Sequence, residues 1–173
     1  MTSRPRPPLD PADLERFALR YVGRYAVSRA GLARYLARKI AERGWAGEAA
    51  PPIEALVRRF AELGYVDDRA LAEARGRSLA RKGYGERRLT QALDALGIEP
   101  PDARAARAQA REAAWETALR FAERRRIGPF ASDRPDPAAH RRAFAAMVRA
   151  GHAIDDIKQI LACSPGDVPI REN

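Results

Sequence analysis

The side chains of this chain that have chemistry to offer are overwhelmingly guanidinium groups. Of 32 basic residues, 29 are arginine and only Lys39, Lys82 and Lys158 are lysine. The formal charge is +9 and the isoelectric point is near 10.5. Guanidinium is planar, always charged and forked to match phosphate or carboxylate, so such a set holds a polyanion rather than transforms a substrate. The candidates are Arg24, Arg29, Arg34 and Arg38 near the start, Arg77, Arg81, Lys82, Arg87 and Arg88 in the middle, and Arg141 and Arg142 towards the end. Two plainer explanations stand beside this one. Genomic base composition favours arginine over lysine, and a basic helix face also serves simple solvation.

Other chemistries lack their residues. A single cysteine, Cys163, forms no internal disulfide and fits a reducing compartment. With only His140 and His152 beside it, the chain is short of ligands for a His/Cys metal site. Asp67-Asp68 reads as a helix cap, not a metal pair. Neither phosphate-loop pattern, G-x-x-x-x-G-K-[ST] or G-x-G-x-x-G, occurs. No run approaches the roughly 18 apolar residues of a membrane span, and the opening MTSRPRPPLD lacks the apolar stretch of a secretory signal. The expectation is a cytoplasmic, non-enzymatic protein with no metal, no cofactor and no catalytic residue.

The elements that must carry these cations are helices. Alanine supplies 36 of the 173 residues and aromatic side chains only 7%, a composition that favours helix over sheet. Residues 1–9 are Pro/Arg-rich and read as disordered. Asp10-Pro11 starts a helix with Leu14, Phe17 and Leu19 on its apolar side, and Ser28 starts a second that runs to Gly44. A third carries Ile53, Leu56, Val57 and Phe60. Asp67-Asp68 opens a fourth, closed by Gly83-Tyr84-Gly85, and Leu89, Leu93 and Leu96 mark a fifth. Pro100-Pro101-Asp102 begins one long Ala/Arg helix with Trp115, Ala118, Leu119 and Ala122 as its stripe, broken at Gly128-Pro129. Asp136-Pro137 starts a seventh, and Ile157, Ile160 and Leu161 an eighth. Trp45 and Trp115 read as core anchors at unit junctions, with stacking on bases as the alternative reading, and residues 164–173 as a flexible tail.

The pattern repeats. Ser28-x3-Leu32-x3-Leu36 recurs as Gly85-x3-Leu89-x3-Leu93 and again as Ala153-x3-Ile157-x3-Leu161, with a glycine break before each of the last two. Each helix buries a single stripe, so stacked helical units must share their apolar faces. At about 100° per residue, Arg34 and Arg38 project opposite Leu32, Leu36 and Ile40. The charge is uneven: residues 1–45 hold ten bases and four acids, and residues 104–142 ten and five. The other two stretches are each one negative charge from neutrality. Nucleic acid held in this way is gripped by its backbone, with strong salt dependence and little reading of base sequence.

Gly64-Tyr65-Val66-Asp67-Asp68, then Leu71-Ala72-Glu73, Arg77, Gly83-Tyr84-Gly85, Arg88-Leu89, Leu93 and Gly97-Ile98, resembles the signature of the RecX family of bacterial regulators of the recombinase RecA. The stretch near Ser28-Arg29 resembles the family's first repeat, and 137–161 its third; Leu71 stands where the family commonly has Phe. The resemblance implies an all-α fold of three tandem three-helix, helix-turn-helix-like repeats in an elongated, curved molecule. On this chain they fall at 10–65, 66–130 and 131–163. It also implies binding to the RecA–single-stranded DNA filament, with inhibition of ATP hydrolysis, filament extension and strand exchange. The single-stranded DNA contact is then weak and backbone-directed, and the protein a monomer. Two other classes remain open: a helix-turn-helix protein recognising duplex DNA through helices joined at Gly83-Tyr84-Gly85, and a helical adaptor that binds protein alone.

Overall fold

The computed structural model describes residues 7–169. Nine α-helices follow one another: α1 (Pro11–Val22), α2 (Arg29–Arg43), α3 (Ile53–Glu62), α4 (Asp68–Arg81), α5 (Glu86–Leu96), α6 (Pro100–Glu112), α7 (Ala114–Arg125), α8 (Pro137–Arg149) and α9 (Ile154–Ala162). A short 3-10 turn, Gly128–Phe130, separates α7 from α8. The fold is all-α; the extended pairing among the described residues is an isolated bridge between Leu9 and Trp45.

The helices begin where the capping residues stand. Asp10 accepts from the Asp13 amide while the Asp13 carboxylate accepts from the Asp10 amide, a reciprocal capping box with Pro11 at the first helical position. Asp67 accepts from Ala70 N at 2.9 Å and Asp136 from Ala139 N at 2.6 Å, giving α4 and α8 the same kind of start. These bonds satisfy amides that the first turn of a helix leaves without a carbonyl.

The chain divides into two compact units. The first takes the residues up to Leu71 together with Leu96–Glu99, and the second takes Ala72–Ala95 and the residues from Pro100 onward. In the first, Leu14 and Ala18 of α1, Leu32 and Leu36 of α2, and Leu56, Val57 and Phe60 of α3 form one core with Val66. In the second, Ala118, Phe121 and Ala122 of α7 pack with Met147 of α8, with Ala150 just after it, and with Ile157, Ile160 and Leu161 of α9. Burying each of the larger aliphatic side chains is worth about 1.5–3 kcal/mol. All six residues of the repeated pattern are buried: Leu32 and Leu36 on α2, Leu89 and Leu93 on α5, Ile157 and Leu161 on α9. The repeat is thus a repeat of core positions.

Three expectations change. The single Ala/Arg helix predicted from Pro100 breaks at Ala113, whose backbone (φ −87°, ψ 11°) leaves helical geometry and begins α7 afresh. There are nine helices among the described residues, not eight. The reason is packing. Ala103 and Ala106 of α6 are buried, with Ala106 lying close to Gly76 of α4. The stripe of α7 serves the core with α8 and α9. α7 packs with both α8 and α9.

Second, residues 1–6 of the expected disordered start lie outside the described residues, but Leu9 is fully buried. Its amide donates to Gly44 O at 2.9 Å, and its carbonyl accepts from Ala46 N at 2.9 Å. The buried side chain and these two backbone bonds together fasten Leu9. Third, the tail expected from 164 is tied back by Gly166 N, which donates to Pro129 O at 2.8 Å. Residues 170–173 lie outside the described residues.

Candidate functional site

The predicted cations do not form one cluster. Arg34 and Arg38, four residues apart on α2, line a groove of about 470 Å³ in the first unit together with Tyr21, Tyr25 and Tyr35. The Arg34 guanidinium also donates to Leu96 O at 3.3 Å. Arg38 lies 3.6 Å from Glu42 and 5.7 Å from the centre of the Tyr35 ring. Glu42 bonds Lys39 at 2.6 Å, and that bond holds its carboxyl below the ordinary value of 4.5. Arg24 is exposed in the turn after α1.

Arg29 plays a different part. It is the first residue of α2, and its backbone amide donates to Asp68 Oδ1 at 2.8 Å while its Nε donates to Oδ2 at 3.2 Å. Asp68 is buried, so this pair ties the start of α4 to the start of α2. Beside it the buried Ser28 hydroxyl accepts from Gly31 N at 3.0 Å and donates to Leu96 O at 2.6 Å. Sequence reading assigned Asp67-Asp68 jointly to capping. Asp67 caps its own helix, whereas Asp68 serves α2 across 39 residues of chain.

In the second unit Lys82 and Arg88 line a groove of about 400 Å³ with Arg75, Leu79, Tyr84 and Gln91. Arg88 sits 6.0 Å from the centre of the Tyr84 ring. No carboxylate belongs to this lining. Arg75 and Gln91 were missed in the sequence, although a signal existed. Arg75, Leu79 and Lys82 are spaced by four and three, as are Arg88, Gln91 and Ala95 by three and four, which places each set on one helix face. Arg77 is exposed 3.8 Å from Glu73 on its own helix. Arg81 and Arg87 are exposed outside the groove lining, and Arg141 and Arg142 are exposed on α8.

Beside the second groove two turns are hydrogen-bonded to each other. Gly85 N donates to Ala150 O at 2.9 Å and Arg87 N to Gly151 O at 3.3 Å, joining the α4–α5 turn to the α8–α9 turn. His152, buried, bonds Gly83 O through Nε2 at 3.0 Å. Burial lowers its pKa from the ordinary 6.5, opposed by that carbonyl and by Asp156. Among the described residues no group of three or more His, Cys, Asp and Glu is placed to hold a metal ion. Among them also, no helix is long and apolar enough to cross a membrane.

Fold and surface together define an all-α protein of repeated helical units carrying basic grooves suited to binding. The family model described as RecX, second three-helix domain, matches residues 67–106. The regulatory protein RecX of Myxococcus xanthus (strain DK1622) is 32% identical over 170 residues, covering 94% of this chain and 90% of its own length. The chain belongs to the RecX family of regulatory proteins. Two solved structures share its fold at 18% identity, each covering 88% of this chain. RecX from Lactobacillus salivarius has a TM-score of 0.63 with 94% of that chain covered. A further regulatory protein RecX has 0.60 with 73% covered.

Proposed function

We propose that this protein binds the RecA–single-stranded DNA filament and inhibits RecA's ATPase, filament extension and strand exchange, acting in the cytoplasm as a monomeric, non-enzymatic regulator. Membership in a regulatory family supports a binding role. The observation that carries the contact surface is the second-unit groove, where Arg75, Lys82 and Arg88 meet with no carboxylate in the lining. Such a surface takes phosphate or an acidic protein face through several weak contacts, since one exposed ion pair contributes only about 0–1 kcal/mol. Single-stranded DNA is held by its backbone, weakly and with marked salt dependence. Arg24, Arg34, Arg38, Arg77, Arg81, Arg87, Arg141 and Arg142 extend the cationic surface, while Arg29 contributes chiefly by holding α2 to α4.

The test is RecA ATPase on single-stranded DNA with the purified protein titrated in. Inhibition is expected, and charge reversal of Arg81, Arg87 and Arg88 weakens it without unfolding the protein. No effect of the unaltered protein at excess removes the proposal, and an unchanged curve for the triple variant removes the middle unit from the contact. A duplex site preferred about a thousandfold or more over random DNA would instead identify a sequence-reading protein.

A further inference from the structure

We propose that the first-unit groove is a nucleobase-stacking site, in which a base of single-stranded nucleic acid lies against the tyrosine rings while Arg34 and Arg38 hold its phosphates. This rests on the reading that the protein engages single-stranded DNA, and adds to it a contact with the bases themselves.

The groove has about 470 Å³ of space, within the range of sites that take small organic groups. Tyr21 and Tyr35 stack with ring centres 3.9 Å apart and planes within 4°, so α1 and α2 bring two aromatic rings together at the groove. Tyr25 is set at 57° to Tyr21 with centres 5.4 Å apart, and it is 54% exposed. An aromatic ring left half in water beside a firmly packed pair offers a face to a ligand at little cost to the fold. Gly31 lines the same groove and adds no side chain to fill it.

The cations complete the case. Arg34 and Arg38 are both in the lining, which includes no carboxylate, and Lys39 stands 5.8 Å from the Tyr35 ring centre. Glu42 is the carboxylate nearby, bonded to Lys39 and next to Arg38. An acidic peptide would use the arginines and leave the exposed ring idle, and an apolar peptide would use the ring and strand the arginines. A nucleotide uses both, with a π-face for tyrosine and a phosphate for guanidinium. Every base has such a face, so the site is tolerant of sequence.

The experiment compares the full-length protein's affinity, by fluorescence anisotropy, for a labelled oligo(dT) and an abasic strand of equal length and charge. Oligo(dT) is expected to bind about fivefold tighter or more, the lower end of what one stacked base supplies. Tyr25→Ala abolishes that preference and Tyr25→Phe retains it, while Arg38→Gln weakens both strands alike and flattens their salt dependence. Equal affinity for the two strands, no binding to either, or a preference that survives Tyr25→Ala overturns the site. RecA ATPase inhibition is read in parallel. Inhibition without base preference sinks this site and leaves the regulatory reading standing, and base preference without inhibition does the reverse.

Discussion

Gly85→Ala tests whether the joined turns beside the second groove hold that unit together. A β-carbon at Gly85 would collide with the Gly151 carbonyl oxygen, lie 2.5 Å from its carbon and come within 2.8 Å of His152 N. All three are backbone atoms, so no side-chain rotation relieves the overlap. The turns must part by more than half an ångström, which breaks Gly85 N to Ala150 O and Arg87 N to Gly151 O. Each such bond is worth about 0.5–1.5 kcal/mol net, and an amide left buried without an acceptor costs about 1–3 kcal/mol. The expected loss is therefore about 2–4 kcal/mol, read as a lowered urea midpoint by circular dichroism. Gly76→Ala is the companion. Its added carbon would lie 3.6 Å from Leu89 and 3.7 Å from Ala106, in ordinary contact inside α4, so it should stabilise by about 0.5–1 kcal/mol. A Gly85→Ala protein as stable as the unaltered one, or a Gly76→Ala protein much less stable, would refute the reasoning.

Other changes have definite expected outcomes. Asp68→Ala removes the acceptor of the Arg29 amide and guanidinium; because that guanidinium is 41% exposed and can be rehydrated, thermal unfolding should report a loss of about 2 kcal/mol rather than the larger cost of a fully buried pair. Arg126 closes α7 at φ 52°, a left-handed conformation that a β-carbon disfavours, so Arg126→Gly should raise stability by about 0.5–1 kcal/mol in the same assay. His152 titrates below its ordinary 6.5 because it is buried, so the unfolded chain takes up the proton first. Its contribution is complete above about 6.5 and is lost as the pH falls through and below that value. Urea midpoints at mildly acidic and neutral pH should diverge less in His152→Gln, and identical pH profiles would remove the histidine from the account.

Much of the helical plan is written locally. Asp10-Pro11, Ser28, Asp67 and Asp136-Pro137 each start a helix because a short polar side chain reaches an amide three residues on, a contact that needs no tertiary partner. The Leu32-Leu36, Leu89-Leu93 and Ile157-Leu161 pairs mark the buried faces because their spacing matches a turn of helix. Family membership was likewise legible, in the run from Gly64 to Ile98. The candidate sites were legible only in part. Charge and spacing singled out Arg34, Arg38, Lys82 and Arg88, but not the rings beside them, because Tyr21 and Tyr35 meet across two helices.

What the amino-acid order determined by itself was helix, stripe and charge, since each depends on residues within a turn or two of one another. Only the tertiary structure decided that Arg29 is bonded to Asp68, that α6 and α7 part at Ala113, and that Gly85 and Gly151 meet backbone to backbone. Those outcomes depend on groups 39 or 66 positions apart, or on two stripes with different partners. Packing chooses among such contacts, and local propensity is silent about which distant atoms will be there to meet.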